Sequence, residues 1–413
     1  MKKKRICQIE FPQNRFPYFC DMQNRFLQWA QQHASELIAW RRHLHAHPEL
    51  SYQEIETAAF VQAKLHEYGI TNHLLSTTGV VACIEGKNPS KKVIALRADM
   101  DALPIQEEND LPYRSTKEGI MHACGHDVHT TCLLGAARLL QETRSEWEGT
   151  IKLIFQPGEE KNPGGASLMI REGVLNNPSP QAILALHVST TLETGTFSFR
   201  SGKVMASADE LYITIKGKGG HAASPHLTTD PILISAHLIT ALQQLISRHN
   251  DPFNPTVLSI TSIQGGNTTN VIPDQVKLMG TFRAMNEDWR AKAHQLIRQV
   301  TEQVVSSMGG EALLHIDIGY PCVHNDEKLH QQVVPLAAQL VGEKNISETE
   351  VRMGAEDFGY YAQQIPGCFF RLGVVNPSLG NTFGVHTSRF QVDEEAIPYG
   401  TAMMAWLGAH LSP

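Results

Sequence analysis

Residues 121–131 read MHACGHDVHTT and place three histidines, a cysteine and an aspartate within eleven positions. Thiolate and imidazole both bind borderline transition metals. Cys124 and His126 lie two residues apart, a spacing that does not share a helical face. It does share a side in an extended segment or a turn, and Gly125 between them permits tight backbone geometry. Taken alone, the pair reads first as a buried thiol and a helix-entry imidazole. A cysteine nucleophile with its base is the rival chemical reading.

Other segments carry side chains of the same kind. FQPGEE (155–160) sets Glu159 and Glu160 directly after an apolar run. In an extended chain adjacent side chains point to opposite faces, but a Pro157–Gly158 turn at a strand end can aim both at one centre. Buried neighbouring carboxylates repel unless a cation offsets them. One can then ligate a metal while the other works on a water; in isolation the pair reads as a solvated acidic turn. RADMD (97–101) offers Asp99 and Asp101 as ligands or as carboxylates that orient a histidine. His187 follows the apolar run AILAL, where a lone histidine reads first as a satisfied core residue. His386 stands in TFGVHTSRF, in a loop after a glycine-marked strand.

These segments need elements to bring them together. GVVACIEG, KKVIALRAD, TIKLIFQP and QAILALHV are short, β-branched and bounded by turn formers, as buried strands are. TTCLLGAARLL and GGASLMIREG between them read as helices. Such alternation predicts an α/β layer, with a mixed, largely parallel sheet flanked by helices. Upstream, SELIAWRRHLHAHPEL predicts a helix ending near His47, before Pro48. Ser51 and Glu54 have capping-box spacing for the next helix, which Gly69 ends. From Asp209 the order is β-α-β-β-α-β, with Asp230 and Pro231 opening the first helix and Gly309 past the second. That order predicts an inserted ferredoxin-like α+β satellite domain. The expected organisation is an irregular extension over 1–30, a discontinuous catalytic domain over 31–206 and 321–413, and a satellite over 207–320. The chain ends in an apolar-faced helix, IPYGTAMMAWLGAHL. In open α/β sheets ligands collect beyond the carboxyl ends of strands, which is where RADMD, PGEE and LHV fall.

Composition excludes some functions. The 413 residues carry a net charge of −7, so no basic field invites nucleic acid or anionic membrane. No run approaches the ~18 apolar residues of a transmembrane helix. Lys2–Arg5 is followed by polar residues and Pro, unlike a signal peptide, and the seven cysteines are odd in number and scattered. Reduced thiols in a cytoplasmic protein are expected. Walker, H-E-x-x-H and G-x-S-x-G motifs are absent from the sequence, and GKGG at 217–220 lacks dinucleotide spacing.

From about Trp40 to the C-terminus the chain resembles the M20 metallopeptidase/aminoacylase family. The similarity is strongest to its N-acyl-amino-acid amidohydrolase branch of hippurate hydrolases, aminoacylases and plant auxin-conjugate hydrolases. RRHLHAHPEL, LRADMDALPIQE, MHACGHDVHTTCLLGAA, FQPGEE, GGHAASPH, GGNTTNVIPD and GAEDFGYY occur in family order. The resemblance implies metal ligation by Cys124, His126, Glu160, His187 and His386. It implies Glu159 as general base and Asp101 and Asp99 as carboxylates behind the ligands; His122 and His129 match no ligand position and read as structural residues or as supports behind the ligands. His221 would be a catalytic donor to the oxyanion, often reaching the partner subunit's site, and Asn270 would lie near the substrate. Arg283 is a candidate cation for a substrate carboxylate, with a structural ion pair as its other reading.

The implied activity is metal-dependent cleavage of N-acyl amino acids, with one or two divalent ions (Mn, Zn, Co or Ni). A homodimer or homotetramer is expected, with a small-molecule substrate and neither nucleic acid nor membrane as partner. A dipeptidase or carboxypeptidase of the same chemistry is the alternative. A binding protein that retains the metal pocket is the non-enzymatic one.

Overall fold

The computed structural model describes residues 17–380 and 383–412. The first helix is a correction to the sequence reading: residues Pro17–Gln32 (α1) are helical, not irregular, and residues 1–16 lie outside the described ones. Phe26 and Ala30 are buried, and the Phe26 ring meets Trp406 edge-on at 5.5 Å. Gln28, Gln31 and Gln32 stand among its apolar residues and obscure the period in the sequence. Helix α2 (Ala34–Ala46) stops before Pro48, and α3 (Ile55–Glu67) is followed by Gly69 at φ +69°. Ser51 and Glu54 form no capping box. Ser51 Oγ instead donates to Asp101 at 2.6 Å, and the Glu54 carboxylate accepts from the backbone N–H of Tyr52 and of Gly158. Both side chains thus brace the loops that carry the candidate site.

The first half of the chain adds β1 (Asn72–Leu75), β2 (Gly79–Glu85), β3 (Val93–Asp99), α4 (His126–Glu142) and β4 (Thr150–Gln156). It continues with α5 (Gly165–Arg171), β5 (Ala182–Glu193), β6 (Phe197–Phe199) and β7 (Gly202–Met205). Strands β3 and β4 are buried on both faces, as parallel strands under helices must be. Ile94, Leu96 and Ala98 pack into the core cluster with α4 on one face, while Ala95 and Ile154 pack with α5 on the other.

The chain then leaves this layer. Strand β8 (Asp209–Lys216), the ribbon strand β9 (Gly220–His221), α6 (Pro231–Gln244), β10 (Thr256–Gln264), ribbon strand β11 (Val271–Ile272), β12 (Gln275–Ala284), α7 (Glu287–Ser307) and β13 (Glu311–Ile318) follow. The antiparallel order β10-β12-β8-β13 is that of a ferredoxin-like sheet, with its own core around Leu211, Leu238, Phe282 and Ile297. The Asp230 carboxylate accepts from the N–H of Ile232 and Leu233 at the start of α6. Two adjacent segments, 206–208 and 319–321, join this unit to the rest, bonded by Ala208 N–H to the Tyr320 carbonyl at 2.9 Å.

The return adds β14 (Val323–Asn325), α8 (Glu327–Val341), β15 (Ile346–Glu348), α9 (Gly359–Ala362), β16 (Gly367–Val375) and α10 (Ala396–His410). Helix α10 is buried on all sides against α4, beyond the single apolar face its sequence suggests. The large sheet runs β1-β2-β4-β3-β5-β16-β6-β15, with β4, β3, β5 and β16 mutually parallel at its centre. Their carboxyl ends hold the candidate chemistry.

Candidate active site

Begin with the loop between β3 and α4. Gly125 lies at φ +89°, and a Cβ there would come within 2.5 Å of Val188 Cγ2. Only glycine lets the chain turn so close to β5, which aims Cys124 and His126 to one side. His126 begins α4 and hydrogen-bonds through Nδ1 to the Asp101 carbonyl (2.8 Å) and carboxylate (3.1 Å). Its other nitrogen, Nε2, is buried with no hydrogen-bond partner.

Asp101 also accepts from Ser51 Oγ and from the Glu160 N–H at 2.9 Å, so one carboxylate orients a ligand from each of two loops. An asparagine could not accept at both oxygens. Asp101→Asn should therefore weaken divalent-ion affinity about 10–100-fold, the usual worth of such an orienting carboxylate. A competitive-chelator titration reads this, and unchanged affinity would contradict the assigned role.

The PGEE turn supplies the acids. Gly158 adopts φ +60° and its N–H is held by Glu54 at 2.8 Å. Glu160 Oε1 lies 3.2 Å from His386 Nε2 and 3.9 Å from His126 Nε2, yet it too lacks a hydrogen bond. Glu159 is buried beside Glu356 and Asp357, with ligand-capable oxygens of all three within 4.8 Å. Burial first, then Glu356, Glu160 and Asp357, push the Glu159 carboxyl well above its ordinary range.

His187 is mid-strand, because β5 continues to Glu193. Its Nδ1–H donates to the Val188 carbonyl, which turns Nε2 toward Cys124 Sγ at 3.4 Å. His386 sits at φ +62°, strained for a non-glycine residue, with its Nε2 3.3 Å from the same sulfur. The hydrogen bond to Cys124 and the Glu160 carboxylate beside it raise the His386 pKa to about 10.

Three donor groups share members: Cys124–His126–His187, Cys124–Glu160–His386 and His126–Glu159–Glu160. The orphaned His126 Nε2 and Glu160 Oε1 are acceptors facing one another across this cluster. A divalent cation between them would satisfy both, and its charge would return Glu159 to the ionised form. Thiolate, imidazole and carboxylate donors fit Zn, Mn, Co or Ni.

His129 is not available to a metal. Its Nδ1–H donates to Asp99 at 2.6 Å and its Nε2 accepts from Val188 N–H at 2.9 Å, so it ties β3 to β5. Asp99 is held well below its ordinary pKa despite burial, because His126, Arg97 and His129 surround it. His122 is buried and neutral, its pKa pushed down to about 4 by burial, and neither ring nitrogen has a partner. Nothing in the structure explains it. Beneath the site, Arg97 is fully buried and bonds Asp99 (2.6 Å), Asp357 (2.7 Å) and Glu356 (3.0 Å).

The cluster opens into a cavity of about 350 Å³. Arg283 of the satellite lines it. His221 and Asn270, expected near the substrate, do not line this chain's cavity. They lie on the exposed β9–β11 ribbon, which pairs with itself rather than joining the four-stranded sheet. Arg371, Arg352 and Tyr320 line the cavity and went unmarked in the sequence. Arg371 is embedded in the apolar run CFFRLGVV, and the only local signal was its charge there. Glu356 and Asp357 were visible only as part of a motif, without a role.

The family model for peptidase family M20/M25/M40 matches residues 95–407. The chain belongs to that family. IAA-amino acid hydrolase ILR1-like 4 of Arabidopsis thaliana is 39% identical over 92% of this chain and 85% of its own length. Thermostable carboxypeptidase 1 of Saccharolobus solfataricus is 38% identical over 91% of this chain and 95% of its own. A crystal structure from Bacillus subtilis, described as a dinuclear metal-binding peptidase of the M20 family, superposes with a TM-score of 0.80 at 37% identity. It covers 92% of this chain and 98% of the Bacillus chain.

Proposed function

We propose that this M20 protein is a metal-dependent amidohydrolase that cleaves N-acyl-L-amino acids to a carboxylic acid and a free amino acid. Substrates of hippurate or N-acetyl-amino-acid type carry a carboxylate, and Arg283, Arg352 and Arg371 are among the residues lining the cavity. The observation that carries the reading is the placement of Glu159, a buried carboxylate next to a donor cluster with two orphaned acceptors. Two three-donor groups that share Cys124 support two ions held by Cys124, His126, Glu160, His187 and His386.

Bound divalent ions would supply Lewis acidity to the amide carbonyl and to the attacking water. Glu159 takes the water's proton as its oxygen bonds to the carbonyl carbon. It then delivers that proton to the amide nitrogen as the C–N bond breaks. Asp101 holds His126 and the Glu160 backbone in place throughout. Tyr320, at the junction with the satellite, donates to the Glu159 carbonyl at 2.6 Å and fixes the turn that carries the base. His221, exposed on its ribbon, is assigned as oxyanion donor to a second subunit's site in a homodimer or homotetramer. Cys83, Cys124, Cys132, Cys322 and Cys368 are free thiols, which supports a reducing, cytoplasmic setting. No described helix is long and apolar enough to cross a membrane.

A peptidase reading is favoured by the carboxypeptidase name of one relative. A panel of N-acyl amino acids and dipeptides, offered to metal-loaded protein, separates the two. Faster cleavage of benzoyl-glycine and acetylated amino acids than of every dipeptide is expected. Dipeptides turned over faster would reverse the assignment. No turnover in any arm would leave a binding protein.

A further inference from the structure

Four described arginines are buried: Arg41, Arg97, Arg290 and Arg371. Three of them are neutralised. Arg41 pairs with Asp127 and Glu394, Arg97 with Asp99, Glu356 and Asp357, and Arg290 with Asp209 and Glu287. Arg371 has no ion pair with any described carboxylate. Its one side-chain hydrogen bond among the described residues goes to Met205 Sδ at 3.1 Å, and its Nε is buried without a partner. Its guanidinium also rests 4.9 Å over the Phe369 ring. Glu356 and Glu159 attract it from a distance but neither forms an ion pair with it. Burying a cation without a directly paired anion is costly, so the free guanidinium points to an anion brought from outside.

The position of Arg371 says which anion. On β16 it pairs in register with His187 on parallel β5, so both side chains leave the same face of the sheet. Neighbouring strands lie about 4.8 Å apart, which puts the guanidinium beside the metal-ligand cluster. Arg371 and Arg352 line the metal cavity together, and Arg352 has no ion pair with a described carboxylate either. The pair also borders a second cavity, lined by Glu348 and Glu350. Carboxylates line both cavities, but only the metal-side one holds Cys124, His187 and His386 and a third arginine, Arg283, so an anionic substrate docks there. In an N-acyl amino acid the carboxyl carbon is two bonds from the scissile nitrogen, so its receptor must stand beside the reacting centre.

We propose that Arg371, backed by Arg352, is the receptor for the substrate's α-carboxylate. This rests on the amidohydrolase reading above. Arg283 approaches the cavity from the satellite, where Asp209 and Glu210 attract it and Thr281 accepts from its Nε at 3.2 Å. Arg371 stands on the central sheet and needs no domain movement to meet the ligand. A guanidinium donates two parallel N–H bonds to a carboxylate, and the Nε–H of Arg371 has no other partner among the described residues.

The test uses metal-loaded, full-length Glu159→Gln protein and calorimetric binding of benzoyl-glycine against benzoyl-glycinamide. The carboxylate should bind about 10–100-fold more tightly, the worth of a charge-assisted hydrogen bond. Adding Arg371→Met should collapse that preference while leaving the carboxamide's affinity within a few-fold. Arg371→Lys, which keeps the charge, should restore part of it and guards against a folding defect in the methionine variant. The proposal is overturned if Arg371→Met keeps the preference or loses both ligands equally, or if Arg283→Gln alone removes the preference. Turnover of benzoyl-glycine by the unmutated enzyme is scored separately. Turnover without an Arg371-dependent preference sinks only this proposal, and preference without turnover sinks only the amidohydrolase reading.

Discussion

Replacing Glu159 with glutamine should lower turnover about 10²–10⁴-fold, the usual contribution of a positioned general base. Metal content should not change. Glu159 belongs to only one of the donor groups built on the five proposed ligands, and Glu160 can serve there alone. Glutamine is nearly isosteric, so the turn held by Glu54 and by the Tyr320 hydroxyl stays intact. What disappears is the ability to take a proton. Steady-state rates and metal analysis on the same sample check both halves. Near-normal turnover would remove Glu159 from its role, and lost metal would make it a ligand.

The second large effect concerns stability. Arg97→Met should destabilise the fold by about 3–5 kcal/mol, the range seen when one partner of a buried ion pair is removed. Arg97 is the common partner of Asp99, Glu356 and Asp357, all buried, and methionine would leave Glu356 and Asp357 without their paired cation and Asp99 with its histidines alone. The effect depends on pH with a definite sign. Burial already raises Asp357 to about 8, above its unfolded value, so the native state binds the extra proton and stability falls as pH rises through that window. Removing Arg97 raises it further. The deficit of the variant should thus be larger at pH 8 than at pH 5 in metal-free protein, measured by denaturant unfolding. A deficit under 1 kcal/mol, or one that grows toward acid, would contradict this account.

Much of the site was legible because its residues lie at the ends of apolar strands. Asp99 ends β3 and Asp101 follows it, Glu159 and Glu160 follow β4, and Cys124 precedes α4 while His126 opens it; each sits in a short, chemically unusual string. The satellite was equally open, since alternation and the Asp230–Pro231 cap are local signals. Long-range electrostatics were not. Arg97 meets Glu356 and Asp357 across more than 250 positions, and no spacing rule links them. Ser51 and Glu54 looked like a helix cap because that signature is also local, whereas their partners, Asp101 and Gly158, are distant. Arg371 was hidden for a third reason: inside an apolar strand a charge carries no sign of what it faces. His221 and Asn270 stand apart from the cavity of their own chain, on the β9–β11 ribbon.

Amide cleavage should depend on the divalent ions held by Cys124, His126, Glu160, His187 and His386. Hydrolysis of N-acyl amino acids should vanish when the protein is stripped by chelation and return when Mn, Zn, Co or Ni is restored one at a time. Activity that survives complete stripping would contradict the claim and bring back Cys124 as a nucleophile.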